Sequence, residues 1–275
     1  MYAAWNQVYN DSTCYDLVIN GSSRAWTQYN PLILDSILDL NTFNLGIDGS
    51  AINRQLIKYK KYCELHGNPK FLIQNIDLGT MSYTMGYDRE QFFPYFFYDR
   101  DLIKQYDQYE DFSWGEKYIP CYRYLGYGDV MTEAIFKDNK SHYFKHITKG
   151  YSGKDESWDG EQLTQMDVVI CDMDSNAIKI FEDFLLQVVQ TGTKVIFVYA
   201  PIYSGAREKM VNEEEMFAMY DGIAKKFDIP ILDYNDVSLC YDTIYFYNAT
   251  HLNRVGAELF TTQLARDIDS LGLLK

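Results

Sequence analysis

The sequence predicts an α/β fold: a central parallel sheet of about five strands with helices packed on it, interrupted by an aromatic-rich insertion. Three observations predict it. The first 77 residues read strand, helix, strand, helix, strand with short connections, the pattern that builds parallel strands joined by crossover helices. Val195–Tyr199 is a strongly apolar run set between two helical patterns. Between these regular parts, Leu78 to about Gln165 loses its periodicity and becomes rich in Tyr, Phe, Asp and Gly. A stretch this long inside an ordered chain is an insertion with a role, read as a cap over the carboxyl edge of the sheet or a decoration of it. The whole of 1–275 is read as one domain.

The elements follow in order. Leu17, Val18 and Ile19 form a short run rich in β-branched residues, which Gly21 breaks. Pro31 to Leu40 carries Leu32, Ile33, Ile37, Leu38 and Leu40 at helical spacing. Thr42 to Ser50 is a short strand ending in glycines, and Ser50 is placed to cap a helix over Ala51 to His66. Gly67-Asn68-Pro69 stops that helix, and Lys70 to Asp77 is the third strand. Inside the insertion, Asp99 to Tyr109 and Val130 to Phe136 are helix candidates. Asp167 to Met173 reads as a strand or an extended entry, Ser175 to Gln190 as a helix, and Val195 to Tyr199 as a strand ended by Ala200-Pro201. Asn212 to Phe227 is a helix with an acidic first turn, as the macrodipole favours. Ile229 to Asp233 is the last strand and Asn253 to Leu271 the closing helix.

Composition narrows the partners. The net charge of -14 argues against nucleic acid, whose phosphates require Lys and Arg, and against an anionic membrane surface. No run of about 18 apolar residues is present, so no membrane span is expected. Met1 to Asn10 lacks the basic start and apolar segment of a signal peptide, and the compartment stays open. The five cysteines are scattered without paired zinc spacing and are read as free, mostly buried thiols. With 25 Tyr, 16 Phe and 4 Trp, aromatic faces are available to stack on sugar rings, or simply to fill core and interface.

The candidate chemistry lies at two distant points. Ser22 and Ser23 stand in the turn after the first strand, where open α/β sheets place ligand groups. They serve either as a nucleophile or as a helix cap. His251 lies in the loop before the closing helix, at the same edge of such a sheet, where an imidazole can take a serine proton and return it to a leaving group. Asn248, three residues before it, can hold the other ring nitrogen from the same loop. Other groups carry weaker signals. Arg24 can orient a substrate carboxylate or carbonyl, or pair with an acidic residue. Asp172 and Asp174 read as capping carboxylates rather than metal ligands, and His142 and His146 as surface residues.

Gly21-Ser22-Ser23, Asn44-Leu45-Gly46, Asn75 with Asp77, and Asn248-Ala249-Thr250-His251-Leu252-Asn253 occur in that order. The set resembles the four motifs of the SGNH (GDSL-like) hydrolases, above all bacterial members with a GSSR first motif and an HLN…GA ending, matched here through Gly256 and Ala257. The resemblance covers the β/α parts and not Leu78 to Gln165. It implies a flavodoxin-like three-layer α/β/α fold, Ser23 as nucleophile and His251 as base. It also implies an oxyanion hole made by the Ser23 N–H, the Gly46 N–H and the Asn75 side chain, with Asp77 the rival to Asn75 and, with Arg24, a candidate substrate contact. No metal or organic cofactor is implied. The implied activity is hydrolysis of a small ester, an acetyl group on a carbohydrate among them. The alternatives are O-acyl transfer to a cell-envelope glycan and a catalytically silent glycan-binding protein. The sequence departs from the family at Ser22 and at Asn248, both positions where the family carries Asp, and at Gln74-Asn75-Ile76-Asp77, where the family has a glycine and Asn-Asp side by side. An amide oxygen accepts a hydrogen bond but offers no charge to an imidazolium, which leaves three outcomes: another carboxylate, such as Asp242 or Asp233, takes the place of the acid, a Ser–His dyad suffices, or the site is weak or inactive.

Overall fold

The structure, a computed structural model, describes residues 2–82, 93, 95–97, 99–108, 112–119, 121–125 and 147–274. Strands β1 (Leu17–Asn20), β2 (Thr42–Asn44) and β3 (Phe71–Asn75) come first. β4 (Ile147–Thr148) and β5 (Tyr151–Ser152) form an antiparallel hairpin, β6 (Lys194–Tyr199) and β7 (Ile231–Asp233) follow, and β8 (Phe246–Asn248) pairs antiparallel with β9 (His251–Leu252). The main sheet is parallel throughout, in the order β2-β1-β3-β6-β7. Strand order reverses between β1 and β3, and the crevice of a doubly wound sheet opens at the carboxyl ends of those two strands.

Helices cover both faces. They are α1 (Tyr2–Asn10), α2 (Ser23–Gln28), α3 (Pro31–Leu38), α4 (Ile52–His66), α5 (Arg100–Asp107), α6 (Trp114–Tyr118), α7 (Ser175–Gln190), α8 (Ser204–Arg207), α9 (Glu213–Phe227) and α10 (Arg254–Ser270). Successive strand residues face opposite sides, and this alternation divides the core in two. Val18, Leu72, Val195 and Phe197 pack with Tyr59 of α4, Phe181 and Leu185 of α7, and Tyr220 and Ile223 of α9. Leu17, Ile19, Ile73, Ile196 and Val198 pack with Ala25 and Tyr29 at α2, Leu34 of α3, and Phe260, Leu264 and Ile268 of α10. The result is the expected three-layer α/β/α sandwich.

Short polar side chains cap several helix starts, although Ser22 before α2 and Asn212 before α9 make no cap bond. Asn30 accepts from Leu32 N–H at 3.1 Å, Asp174 from Asn176 and Ala177 N–H at 2.8 and 3.0 Å, and Asn253 from Gly256 N–H at 3.0 Å. Ser50 does not cap α4: its hydroxyl donates to the Ile47 carbonyl at 3.0 Å, which closes the preceding loop, and Ala51 takes the cap position without a side-chain bond.

Two further expectations are corrected, one open alternative is resolved and one helix is new. β2 stops at Asn44, because that side chain turns inward, donating to the carbonyls of Ala25 and Tyr29 at 2.7 and 3.0 Å. Residues 167–173 add no strand to the sheet. They cross its carboxyl rim, where Val169 N–H bonds the Lys209 carbonyl and Asp172 N–H the Leu78 carbonyl, leaving Val168 and Ile170 63% and 72% exposed. Helix α1 has no counterpart in the sequence periodicity; Trp5 and Val8 are its buried residues. The thiols are free, but only Cys171 and Cys240 are buried, with Cys63 half-buried and Cys14 and Cys121 exposed.

The described parts of the insertion lie in two places. Phe93, Tyr95, Phe96, Leu102, Ile103, Tyr106, Phe112 and Tyr124 form a third apolar cluster with Trp5 and Ile57, on the α1 and α4 side. The returning limb, from β4 onward, docks on the end of β2, where Asn44 N–H bonds the Lys149 carbonyl at 2.9 Å. The helix candidate Val130 to Phe136, and His142 with His146, lie outside the described residues. Among the described residues no helix is long and apolar enough to cross a membrane.

Gly150 joins β4 to β5 at φ +84, and a Cβ there would lie 1.9 Å from the Asn44 carbonyl oxygen. Gly150→Ala is therefore expected to lower stability by about 2 kcal/mol or more, through a strained left-handed residue and a steric clash with backbone. A denaturant melt checks this; an unshifted midpoint would place the hairpin elsewhere.

Candidate active site

The turn after β1 leads directly into α2, so Ser23 is the first residue of that helix. In the first helical turn the backbone N–H groups have no intrahelical partner. The chain's far end meets this turn through the short hairpin of β8 and β9, whose second strand opens at His251. Ser23 Oγ lies 2.8 Å from His251 Nε2 across 228 residues of sequence. His251 Nδ1 lies 2.9 Å from Asn248 Oδ1 and 2.9 Å from Thr250 Oγ1. The structure thus brings the sequence-predicted Ser23, His251 and Asn248 into one row, with all three side chains half-buried. Asp233 and Asp242 take no part in it. Asp233 accepts from the Asn235 N–H at 3.0 Å, and Asp242 from the Ile244 N–H at 3.1 Å.

Backbone geometry decides where the ring proton sits. The Thr250 N–H donates to Asn248 Oδ1 at 3.0 Å, so the amide oxygen, not its NH2 group, faces the imidazole. An acceptor oxygen at Nδ1 requires that nitrogen to carry the hydrogen. Nε2 then presents its lone pair to the Ser23 hydroxyl, the tautomer a general base needs. Desolvation holds the His251 pKa down to about 3, reinforced by the positive charges of Arg24 and Lys154. The ring is therefore neutral at pH 7, and its side-chain partner at Nδ1 is an amide rather than a carboxylate that would favour the charged form.

The three expected oxyanion donors occupy different situations. The Ser23 N–H opens α2. Gly46 presses against the same helix, where an added Cβ would stand 2.2 Å from Trp26 N, but its N–H already donates to Asn44 Oδ1 at 2.8 Å. Asn75 ends β3 fully buried, accepting from the Tyr29 hydroxyl at 2.6 Å and donating from Nδ2 to Asp77 Oδ2 at 3.0 Å. An amide has two N–H groups, so one remains.

The two side chains expected to touch a substrate are turned inward. Asp77 is 5% exposed, and its oxygens take the hydroxyls of Ser22 and Thr80 as well as the Asn75 amide. Arg24 is 3% exposed and pairs with no acidic residue among those described. It donates to the Ala200 carbonyl and lies 5.0 Å above the Tyr199 ring. Among the described residues no group of three or more His, Cys, Asp or Glu side chains is placed to hold a metal ion.

Sequence reasoning missed several neighbours. Thr250 adjoins His251 in the motif, and its N–H orientation was not legible. Tyr29 has no local signal at all. Tyr247, with its ring 5.4 Å from that of His251, immediately precedes the same motif. Lys154, 4.8 Å over the Trp26 ring, comes from the returning limb of the insertion.

No protein-family model matches the chain, and no curated protein matches it. Solved structures do. One is a member of the lipolytic protein G-D-S-L family from Veillonella parvula, at 11% identity over 92% of this chain and 97% of that chain, with a TM-score of 0.45. Another is an alpha/beta hydrolase enzyme from the metagenome of Lake Arreo, at 12% identity over 96% and 98%, TM-score 0.45. A third is a GDSL-like lipase from Bacteroides thetaiotaomicron, at 11% identity over 91% and 87%, TM-score 0.41. The chain is similar in fold to these proteins.

The desolvated ring and its amide partner have consequences for titration. Imidazole NMR signals of His251 should not move between about pH 5 and pH 8, because its pKa is near 3, and Asn248→Asp should raise that pKa by bringing a carboxylate to Nδ1. An ordinary midpoint near 6.5 in the unaltered protein would contradict the desolvated site. The unfolded chain, titrating near 6.5, binds the extra proton first. The His251 contribution to stability is thus complete above about pH 6.5 and declines as pH falls toward 3.

Proposed function

We propose that the protein is a serine hydrolase of the SGNH type, cleaving a small ester through an acyl-serine intermediate. The observation that carries this reading is the row Ser23 Oγ, His251 Nε2 at 2.8 Å, and His251 Nδ1 with Asn248 Oδ1 at 2.9 Å. In the proposed reaction Nε2 takes the Ser23 proton as Oγ attacks the ester carbonyl. The Ser23 N–H and the remaining Asn75 N–H receive the charge that develops on the carbonyl oxygen. The imidazolium returns its proton to the departing alcohol, leaving Ser23 acylated. A water, deprotonated by the same nitrogen, then releases the acid and restores the serine.

The rest of the site supports a compact acyl group on a carbohydrate alcohol. Ser23 and His251 sit half-buried. Trp26 lies one helical turn after the nucleophile, and Tyr247 flanks the histidine ring. Aromatic surfaces of this kind accept the apolar faces of sugars. Lys154, from the returning limb of the insertion, lies 4.8 Å over the Trp26 ring.

Two kinetic outcomes test the reading on p-nitrophenyl acetate. Ser23→Ala and His251→Ala should each lower kcat by about 10³-fold or more while the fold, followed by circular dichroism, is kept. Activity surviving Ser23→Ala would end the acyl-serine mechanism. Asn248→Asp should raise kcat by about 10- to 100-fold, because a carboxylate stabilises the imidazolium that the amide cannot. An unchanged rate would mean that charge at this position does not limit the base.

A further inference from the structure

We propose that Asp77 and Tyr29 are positioning residues that clamp the Asn75 amide from both ends, leaving one N–H for the carbonyl oxygen of the substrate. This rests on the serine-hydrolase reading and assigns a role to two residues that reading does not use. Asn75 stands against the nucleophile turn, since a Cβ at Gly21 would lie 2.8 Å from the Asn75 Cβ. Its oxygen accepts from the Tyr29 hydroxyl at 2.6 Å, and burial holds that phenol's pKa well above its ordinary value, so it remains a donor. Its nitrogen donates to Asp77 Oδ2 at 3.0 Å. Turning the amide over would set its oxygen against a carboxylate oxygen, so a single orientation survives.

Asp77 also spans the two strands that frame the crevice. The same Oδ2 takes the hydroxyl of Ser22, the residue before the nucleophile, while Oδ1 takes the Thr80 hydroxyl at 2.8 Å. The Tyr220 hydroxyl holds the Asp77 main chain through its carbonyl at 3.2 Å. One buried carboxylate therefore ties the turn after β1 to the end of β3 and sets the spacing between Ser23 and the Asn75 amide. A carboxylate offers only acceptors to these three donors, whereas an Asn in its place turns one end into a donor and must break part of the set.

The test follows the rate at which an alkyl fluorophosphonate labels Ser23, because the phosphonyl oxygen gains charge in the hole as an ester oxygen does. Asn75→Ala should slow the maximal labelling rate by about 100-fold, the usual loss for one oxyanion donor. Asp77→Asn should slow it by about 10-fold, with the half-saturating probe concentration changed less than about twofold, because a tilted donor keeps part of its effect. In the Asn75→Ala background Asp77→Asn should cost nothing further, which a merely structural role would not produce. Tyr29→Phe, which keeps the ring in the core, should give the same pattern and serves if Asp77→Asn does not fold. Losses that multiply in the double variant, or an unchanged rate with only a lowered melting temperature, overturn the clamp. An unlabelled parent protein, or labelling that persists in Ser23→Ala, overturns the serine-hydrolase reading itself and the clamp with it.

Discussion

One hydrogen decides what this site can do: the proton on His251 Nδ1, held by the amide oxygen of Asn248 at 2.9 Å. A carboxylate in that place would accept from either oxygen and attract an imidazolium. An amide must be turned the right way, and it is turned by a main-chain group, the Thr250 N–H at 3.0 Å. In a serine protease whose triad Asp is replaced by Asn, the amide can select the wrong tautomer, and turnover falls about 10⁴-fold. Here the backbone of the β8–β9 hairpin removes that choice. What the amide cannot supply is charge, so the ring stays a weak base, and the proposed reaction relies more heavily on the donors that receive the oxyanion.

Those donors depend on close packing at the strand-order reversal between β1 and β3. The turn after β1 must approach the end of β3, and the loop after β2 must approach α2. Glycine is required at both contacts. A Cβ at Gly21 would fall 2.7 Å from that of Ala25, and one at Gly46 would fall 2.2 Å from a main-chain nitrogen. Bringing three backbones this close leaves little room for adjustment by side chains. The buried polar groups therefore answer one another across strands, as in the chain from Asn20 through Gln74 to Gln55. These bonds tie β1 to β3 and β3 to α4, while Asn20 Oδ1 has no hydrogen-bond partner among the described residues.

The sequence made the sheet legible because its strands are short apolar runs bounded by Gly, Pro and Asn, and parallel strands buried on both faces carry little else. The Ser23 and His251 pair was legible for a topological reason: both follow strands at the carboxyl edge. Asn248 was legible from its spacing in one loop. Contacts made by distant residues were not. Nothing in the neighbourhood of Tyr29 announces that its hydroxyl will find Asn75, and nothing near Asp77 distinguishes a structural carboxylate from one that meets a substrate. For residues 167–173 the sequence left a strand and an extended entry open, because an apolar run does not say whether its backbone joins a sheet or only crosses the rim. Gly46 was assigned as a donor from its motif, whereas Asn44, in the same motif, already takes its N–H at 2.8 Å.

The electrostatics around the histidine run opposite to the chain as a whole. The protein carries a net charge of -14, yet the charges that act on the ring are Arg24 and Lys154, and both disfavour a proton there. Arg24 cannot shed its charge, and its burial without a carboxylate is costly unless something else meets it. The Ala200 carbonyl and the face of Tyr199 meet part of it, while Nε and Nη1 have no hydrogen-bond partner among the described residues. A pairing carboxylate would quench this field and raise the His251 pKa. Left unquenched, the same field that suppresses an imidazolium favours negative charge on a nearby oxygen. In the proposed reaction the charge that must be stabilised is that of the tetrahedral intermediate. With a buried guanidinium on the helix of the proposed nucleophile and an amide rather than an acid beside the histidine, that reaction would depend less on the base and more on the groups that receive the oxyanion.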